Sequence, residues 1–459
     1  MTLASRAASA SLTSHTAIIK TLANKYHPTI NPDGFVNLAV AENALLNEEL
    51  TTYINANAIF NPLHLTYGNG GSGSEQLRST IALFLNRRFH PRNPLTASSM
   101  HCTAGLTNAI EGIAFALADP GEAFLLARPF YGSFPHIIGD RPGLQTIRVT
   151  FGETDPFSIE SITYYVSALE NAAKSGVRAR GIILCNPHNP LGHAYSIPYL
   201  RALMAFADKY NLHIISDEIY ALSSWTNPSH PNTTNFTSVL AIDLTNLIDP
   251  ALVHCLWGTS KDFGASGLRL GAVISPHNPQ LLAALSTRGL YTFPSAATDA
   301  IVQAVLRNEG FCNWYFKENM RRLTEAYGVV TKFLVQNRIP YAQGGGGAFF
   351  VWVNLGEALE KRIVRSTYGE AGGQEEQADA GVAQLQSSLN ADLMARLIEK
   401  KVYLASGDAF GSEKPGWFRI VFAQPQEIIL EGLHRMLHSI EGGAAKEKYS
   451  ATLPVCLCV

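Results

Sequence analysis

Charge is scarce in this chain: 16% of its 459 residues are Asp, Glu, Lys or Arg against 46% hydrophobic, and the formal net charge is −2. No dense Lys/Arg run occurs, which argues against a nucleic-acid partner, because phosphates are met by clustered cations. Long apolar runs are missing as well. No stretch approaches the roughly 20 apolar residues needed to cross a bilayer, so no membrane partner is expected and the chain reads as soluble. Six cysteines, at 102, 185, 255, 312, 456 and 458, show no Cys-x-x-Cys spacing, which excludes a disulfide framework or a zinc site as a reading. Cys185 and Cys255 sit in apolar strand contexts and read as small core residues. Acidic residues are absent from Met1 to Pro32, a Ser- and Ala-rich stretch with few arginines. It reads as a flexible arm rather than an organellar presequence, and a cytoplasmic location is expected. Cys456-Leu457-Cys458-Val459 resembles a prenylation box only superficially: Cys458 is not aliphatic, no polybasic run precedes it, and an unstructured tail is the reading.

What the chain does have is length and alternation. A chain of 459 residues exceeds one ordinary core and suggests two domains. Its low charge leaves apolar surface that an oligomer would cover. From 61 to 310, short apolar runs alternate with helical periodicity, as in βαβ units around a mostly parallel sheet. Strands are expected at Ala123–Leu126, Thr146–Val149, Gly181–Leu184, Leu212–Ile215 and Leu252–Cys255, and helices at Ser74–Arg88, Thr107–Leu117, Ile197–Lys209 and Gln280–Thr287. Beyond 311 the pattern changes to a long amphipathic helix through Asn337, strand Ala348–Asn354, helix Ala391–Lys400 and strand Phe418–Ala423. The expected organisation is an arm (1–30), part of a small domain (31–60), a large domain (61–310), the remaining small α+β domain (311–442) and a tail (443–459). A Gly-, Ala-, Glu- and Gln-rich surface insertion is expected at 366–383.

In an open parallel sheet, ligands sit beyond the carboxyl ends of the strands, so residues following strands carry most weight. Lys261 follows the apolar run Ala251–Trp257, flanked by small polar residues, with Arg269 eight positions on. Such a lysine has the setting for a Schiff base, and the cofactor that exploits it is pyridoxal phosphate, whose phosphate needs a nearby cation. Asp217 follows the strand ending at Ile215 and is costly at that depth unless a cation, such as a protonated pyridine nitrogen, pairs with it; capping the next helix is the bland alternative. Tyr220 could reach the ring's 3′-oxygen. In Asn186-Pro187-His188-Asn189-Pro190-Leu191-Gly192 two prolines fix a turn and present the Asn189 amide to the same oxygen, although an ordinary turn could use the same residues. His188 and His193 read as turn or surface histidines. Thr103–Asn108 opens a helix after a short strand, making an anion site from backbone amides and the Thr107 hydroxyl. Pro129-Phe130-Tyr131-Gly132 offers an aromatic that could stack on a ring or serve the core.

Order and spacing together resemble the class I/II aminotransferases of pyridoxal-phosphate fold type I. Within them the chain looks most like the 1-aminocyclopropane-1-carboxylate synthase branch, through Asn31-Pro32-Asp33-Gly34, Leu38–Asn43, Leu117-Ala118-Asp119-Pro120-Gly121 and Glu413–Arg419. The resemblance covers about residues 30 to 440. It implies an α/β protein with a mostly parallel seven-stranded sheet in a large domain and a smaller α+β domain, a homodimer with shared active sites, and an amino acid substrate. It further implies that Lys261 holds the cofactor as an internal aldimine and moves the proton, and that Asp217 pairs with the ring nitrogen. Asn189 and Tyr220 would bind the 3′-oxygen, and Tyr131 would stack on the ring. Leu106, Thr107, Ser260 and Arg269 would surround the phosphate, with Tyr67 reaching it from the neighbouring subunit. Arg419 would clamp the substrate α-carboxylate, and Glu42 matches an acidic residue near the substrate. Two departures stand out: Gly258 occupies a position where the family has a serine, and Gly68–Gly73 is longer and richer in glycine. The implied reaction is transamination of an amino acid or an amino-acid-derived metabolite, in specialised metabolism. Elimination or cyclisation at a carbon–sulfur bond is the alternative, and a non-catalytic pyridoxal-phosphate binder is a third reading from another class.

Overall fold

The computed structural model describes residues 23–67, 70–368 and 389–441, together with Ile19 and Thr21. Its strands are β1 (Val36–Asn37), β2 (Met100–Thr103), β3 (Ala123–Ala127), β4 (Gln145–Val149), β5 (Ala179–Cys185), β6 (His213–Asp217), β7 (Val253–Gly258), β8 (Gly271–Ile274), β9 (Phe350–Asn354), β10 (Val402–Tyr403), β11 (Ala405–Ser406) and β12 (Trp417–Val421). Seven of them form one sheet in the order β2-β8-β7-β6-β5-β3-β4. Only β8 runs against its neighbours β2 and β7; the other pairs are parallel. Parallel strands are covered on both faces, and every residue of β3 and of β7 is buried. Successive side chains divide between two apolar layers. Phe124, Leu126, Ile183 and Leu256 pack on one face, while Leu125, Ile182, Cys255 and Trp257 pack on the other.

Three antiparallel strands, β11-β12-β9, make a second sheet, and β1 pairs with β10. Phe350, Val351 and Val353 of β9 and Phe418, Ile420 and Val421 of β12 join the same apolar layer as Phe124 and Ile183. Strand β9 begins at Phe350 rather than at Ala348, because Ala348 takes a left-handed backbone (φ 55°) that cannot continue a ladder. Strand β12 stops at Val421, opposite Phe350, the first residue of its antiparallel partner β9. The expected insertion at 366–383 is corrected at its start, since helix Leu355–Tyr368 runs through its first three residues; residues 369–383 lie outside the described residues.

Helices begin where side chains cap them. Ser74 accepts from Leu77 N–H ahead of helix Glu75–Phe89, whose Arg87 and Arg88 sit at its carboxyl end. Ser196 does the same for helix Ile197–Lys209, and Asn308 for the long helix Glu309–Gln336. Helix Leu106–Leu117 differs: it starts after Gly105 (φ 86°) with no side-chain cap and no acid in its first turn. Its first amides are left for another acceptor. Among the described residues no helix is long and apolar enough to cross a membrane.

Candidate active site

The carboxyl ends of β3, β5, β6 and β7 open onto one cavity of about 160 Å³. Each strand delivers its residues at its end or a few positions beyond: Tyr131 after β3, Asn189 after β5, Asp217 at the end of β6 and Tyr220 after it, Ser260 and Lys261 after β7. Leu106 and Thr107 from the uncapped helix, Arg269, and Glu42 complete the wall. Ten of the twelve residues named from sequence therefore face one space. The other two are Arg419, buried just behind the wall, and Tyr67, which stands 90% exposed outside the cavity.

Lys261 lies on the single helical turn Thr259–Asp262, and its Nζ donates to the Ala41 carbonyl at 2.5 Å. Burial lowers it to about 8, and the nearby Arg419 and Arg269 cations act in the same direction, while Glu42 and Asp217 oppose them. The amine is thus partly free of its proton near neutrality, as a nucleophile or base must be. Asp217 is buried with no ion-pair partner among the described residues and accepts from Ile219 N–H at 3.2 Å. Burial pushes its carboxyl up to about 7, Glu218 adds to this, and the Ile219 amide and Lys261 pull the other way. A buried acid held at that value lacks a cation, which is the role a protonated pyridine nitrogen fills.

Arg419 carries the opposite deficit. It is completely buried, flat between Phe350 (4.3 Å) and Phe410 (4.7 Å). Its terminal nitrogens donate to Asn189 Oδ1 and to the Ala39 carbonyl, both at 2.6 Å, and Nε has no partner. No carboxylate pairs with it among the described residues. A buried guanidinium held only by neutral acceptors is costly without an anion, and an α-carboxylate supplies one. The same bond decides which way Asn189 faces: with Oδ1 on the guanidinium, its amide N–H groups are left for the cavity. Tyr220 is buried beside Phe349 and Phe350, and burial keeps its phenol protonated.

The anion end is built from backbone. A side-chain carbon on Gly105 would lie 2.5 Å from the Arg269 guanidinium, and one on Gly271 would lie 2.7 Å from Leu106 N. Only glycines let strand β8, the helix start and Arg269 converge there. Arg269 itself has a left-handed backbone (φ 52°) and donates to the Ser266 carbonyl at 3.0 Å. Gly258 is explained by the same crowding. A Cβ there would lie 2.5 Å from the Leu270 carbonyl oxygen, so the serine of the resembling family has no room. A ring nitrogen acid, a 3′-oxygen pair, a phosphate cradle and an amine thus match the chemistry of pyridoxal phosphate.

Several contributors escaped the sequence reading: the Ala39 and Ala41 carbonyls, Cys185, Phe350 and Phe410. The Leu38–Asn43 run was visible as a motif, but its backbone role was not. Of the two readings open for His188, turn or surface, the structure takes the first: it is buried in the turn against Phe157 and Tyr195, accepts from Leu191 N–H, and burial pulls it down to about 3, so it stays neutral.

Residues 34–435 match the family model described as aminotransferase class I and II. The chain is 30% identical over 425 residues to the probable aminotransferase gliI of Aspergillus fumigatus, covering 91% of each protein. It is 31% identical over 428 residues to the bovine 1-aminocyclopropane-1-carboxylate synthase-like protein 1, covering 91% of this chain and 78% of that protein. Its fold is similar to that of a Thermus thermophilus aspartate aminotransferase variant complexed with tryptophan, with TM-score 0.71 and 18% identity over 96% of this chain and 100% of the other. Members of that family are typically homodimers acting on amino acids. The chain belongs to the class I and II aminotransferases, enzymes whose cofactor is pyridoxal phosphate.

Proposed function

We propose that the protein is an aminotransferase acting on the α-amino group of an amino acid or an amino-acid-derived metabolite of specialised metabolism. The observation that carries the reading is Arg419, a fully buried cation without an anion among the described residues, bonded to the Asn189 amide of the cavity wall. When bound, pyridoxal phosphate supplies an electron sink for the pair left as the substrate Cα–H bond breaks. Asp217 holds the ring nitrogen protonated, so that the sink stays strong. Asn189 and Tyr220 hold the 3′-oxygen; Leu106, Thr107, Ser260 and Arg269 hold the phosphate; Tyr131 covers the ring. Arg419 binds the substrate carboxylate and so orients the Cα–H bond. Lys261 would hold the cofactor through its Nζ, and the same amine would be the base that takes the substrate Cα proton and returns it. Glu42, exposed at the mouth beside Lys261, faces the substrate side chain.

The proposal includes a homodimer in which Tyr67 reaches the partner's phosphate site. Support comes from the segment around it, where Ile59, Leu63, Leu65 and Tyr67 are all exposed. Incubation with a panel of amino acids tests the reaction. A keto acid formed together with the aminated cofactor is the expected result. Ammonia with a keto acid or a free thiol, and no aminated cofactor, would replace transamination by elimination, the chemistry suggested by the names of the synthase-like relatives.

A further inference from the structure

We infer that Asp262 is a positioning residue for the Lys261 amine: its buried carboxylate sets the lysine's helical turn against the loop that carries Asp217 and Tyr220. This inference rests on the reading of Lys261 above. Asp262 is completely buried and follows Lys261 in the chain, so it lies outside the cavity while its neighbour lies within. Its Oδ1 accepts from Leu222 N–H (3.1 Å) and from the Ser223 hydroxyl (2.8 Å); its Oδ2 accepts from the Trp257 indole N–H (3.0 Å). Leu222 and Ser223 lie two and three positions after Tyr220, and Trp257 is in β7. One carboxylate therefore joins the lysine's turn, the β6 loop and the end of β7 through three donors, with no cation beside it among the described residues. From the other side, Gly264 (φ 61°) packs against the Asn43 carbonyl, seating the turn on the segment whose Ala41 carbonyl receives Lys261 Nζ. A turn of four residues cannot hold an orientation by its own hydrogen bonds. The clamp from both sides supplies it.

The test uses purified holoenzyme and two readouts, the pH midpoint of the absorption band of the lysine-bound cofactor and kcat per bound cofactor. Asp262→Asn keeps an acceptor for Leu222 and Ser223 but sets an N–H against the Trp257 N–H. It should shift the midpoint by about 0.5 pH unit or more and lower kcat about tenfold, with KM nearly unchanged. Combining it with Trp257→Phe removes the clash and should restore part of both. If Asp262→Asn only lowers thermal stability, leaving midpoint and kcat at wild-type values, Asp262 is a structural residue and the inference fails. Ser223→Ala removes a single donor and serves if the Asn variant does not fold: a smaller shift supports the inference, and none overturns it. Lys261→Ala is the separate control. Should it keep the titrating band, the lysine assignment itself falls, whatever the Asp262 variants do.

Discussion

Strands β6 and β7 bury polar groups at both of their ends, and the two ends are built differently. At the amino ends, His213 Nδ1 lies 3.0 Å from His254 Nε2, and His254 Nδ1 lies 2.9 Å from the Ser275 hydroxyl. Both ring nitrogens of the buried His254 thereby have protein partners. Burial pulls His254 down to about 3 and His213 to about 4, so both stay neutral. At the carboxyl ends, about 13 Å away at strand spacing, Asp217 has no cation and Arg419 no anion among the described residues, and the uncapped helix leaves its first amides open. Buried polar groups that satisfy one another stabilise a fold; those left short by one partner mark where a ligand completes them.

Removing a side chain should therefore cost catalysis at one end and stability at the other. The largest effect is expected for Lys261→Ala. Turnover should fall by about 10³-fold or more, while the melting temperature of the cofactor-free protein stays within about 2 °C of wild type. An active variant would remove the lysine from the mechanism and blur the contrast. Next comes Arg419→Lys, which keeps the charge but loses the planar fork. KM for an α-amino acid should rise about tenfold to a hundredfold with a smaller change in kcat, and an unchanged KM would mean that the substrate carboxylate lies elsewhere.

At the other end, His254→Leu leaves His213 and Ser275 without their partner. It should cost about 2 kcal/mol of stability at pH 7.5 and leave kcat intact. Because the native state holds His254 below its unfolded value of 6.5, the wild type alone pays to keep it neutral as pH falls below about 6.5. The gap between variant and wild type in denaturant unfolding should narrow from pH 7.5 to pH 5. A gap that widens would contradict the neutral assignment. The smallest effect belongs to Glu42→Gln. Losing a carboxylate that raises the Lys261 value should move the acid limb of the pH–rate profile down by a few tenths of a unit; a shift upward would place Glu42 away from the amine.

The carboxyl-end site was largely legible because its residues follow strands at short, local distances. Lys261, Asp217, Asn189 and Tyr131 each sit within a few positions of an apolar run, and the run itself says where the chain surfaces. The histidine chain was not legible, since His213, His254 and Ser275 come from three separate strand ends and look like any polar punctuation. The carbonyls of Ala39 and Ala41 were equally hidden, because a backbone acceptor leaves no mark on residue type. Five of the sheet's seven strands and its mostly parallel direction follow from the alternation of apolar runs and helices; the count of seven came with the family resemblance. The early stop of β12 and the late start of β9 depend instead on one left-handed alanine and on where a partner strand begins.

The hydrogen bond from Arg419 to the Ala39 carbonyl joins residues 380 positions apart, and that from Lys261 to Ala41 spans 220. During synthesis the chain emerges from its amino end, so Lys261, Asp217 and Asn189 are all outside the ribosome long before β12 exists. The carbonyl that will orient the carboxylate clamp waits through most of translation for its donor. A nascent chain halted before residue 417 should thus hold every cofactor-contacting side chain and still fail to bind a substrate carboxylate, making this pocket one of the last parts of the molecule to mature.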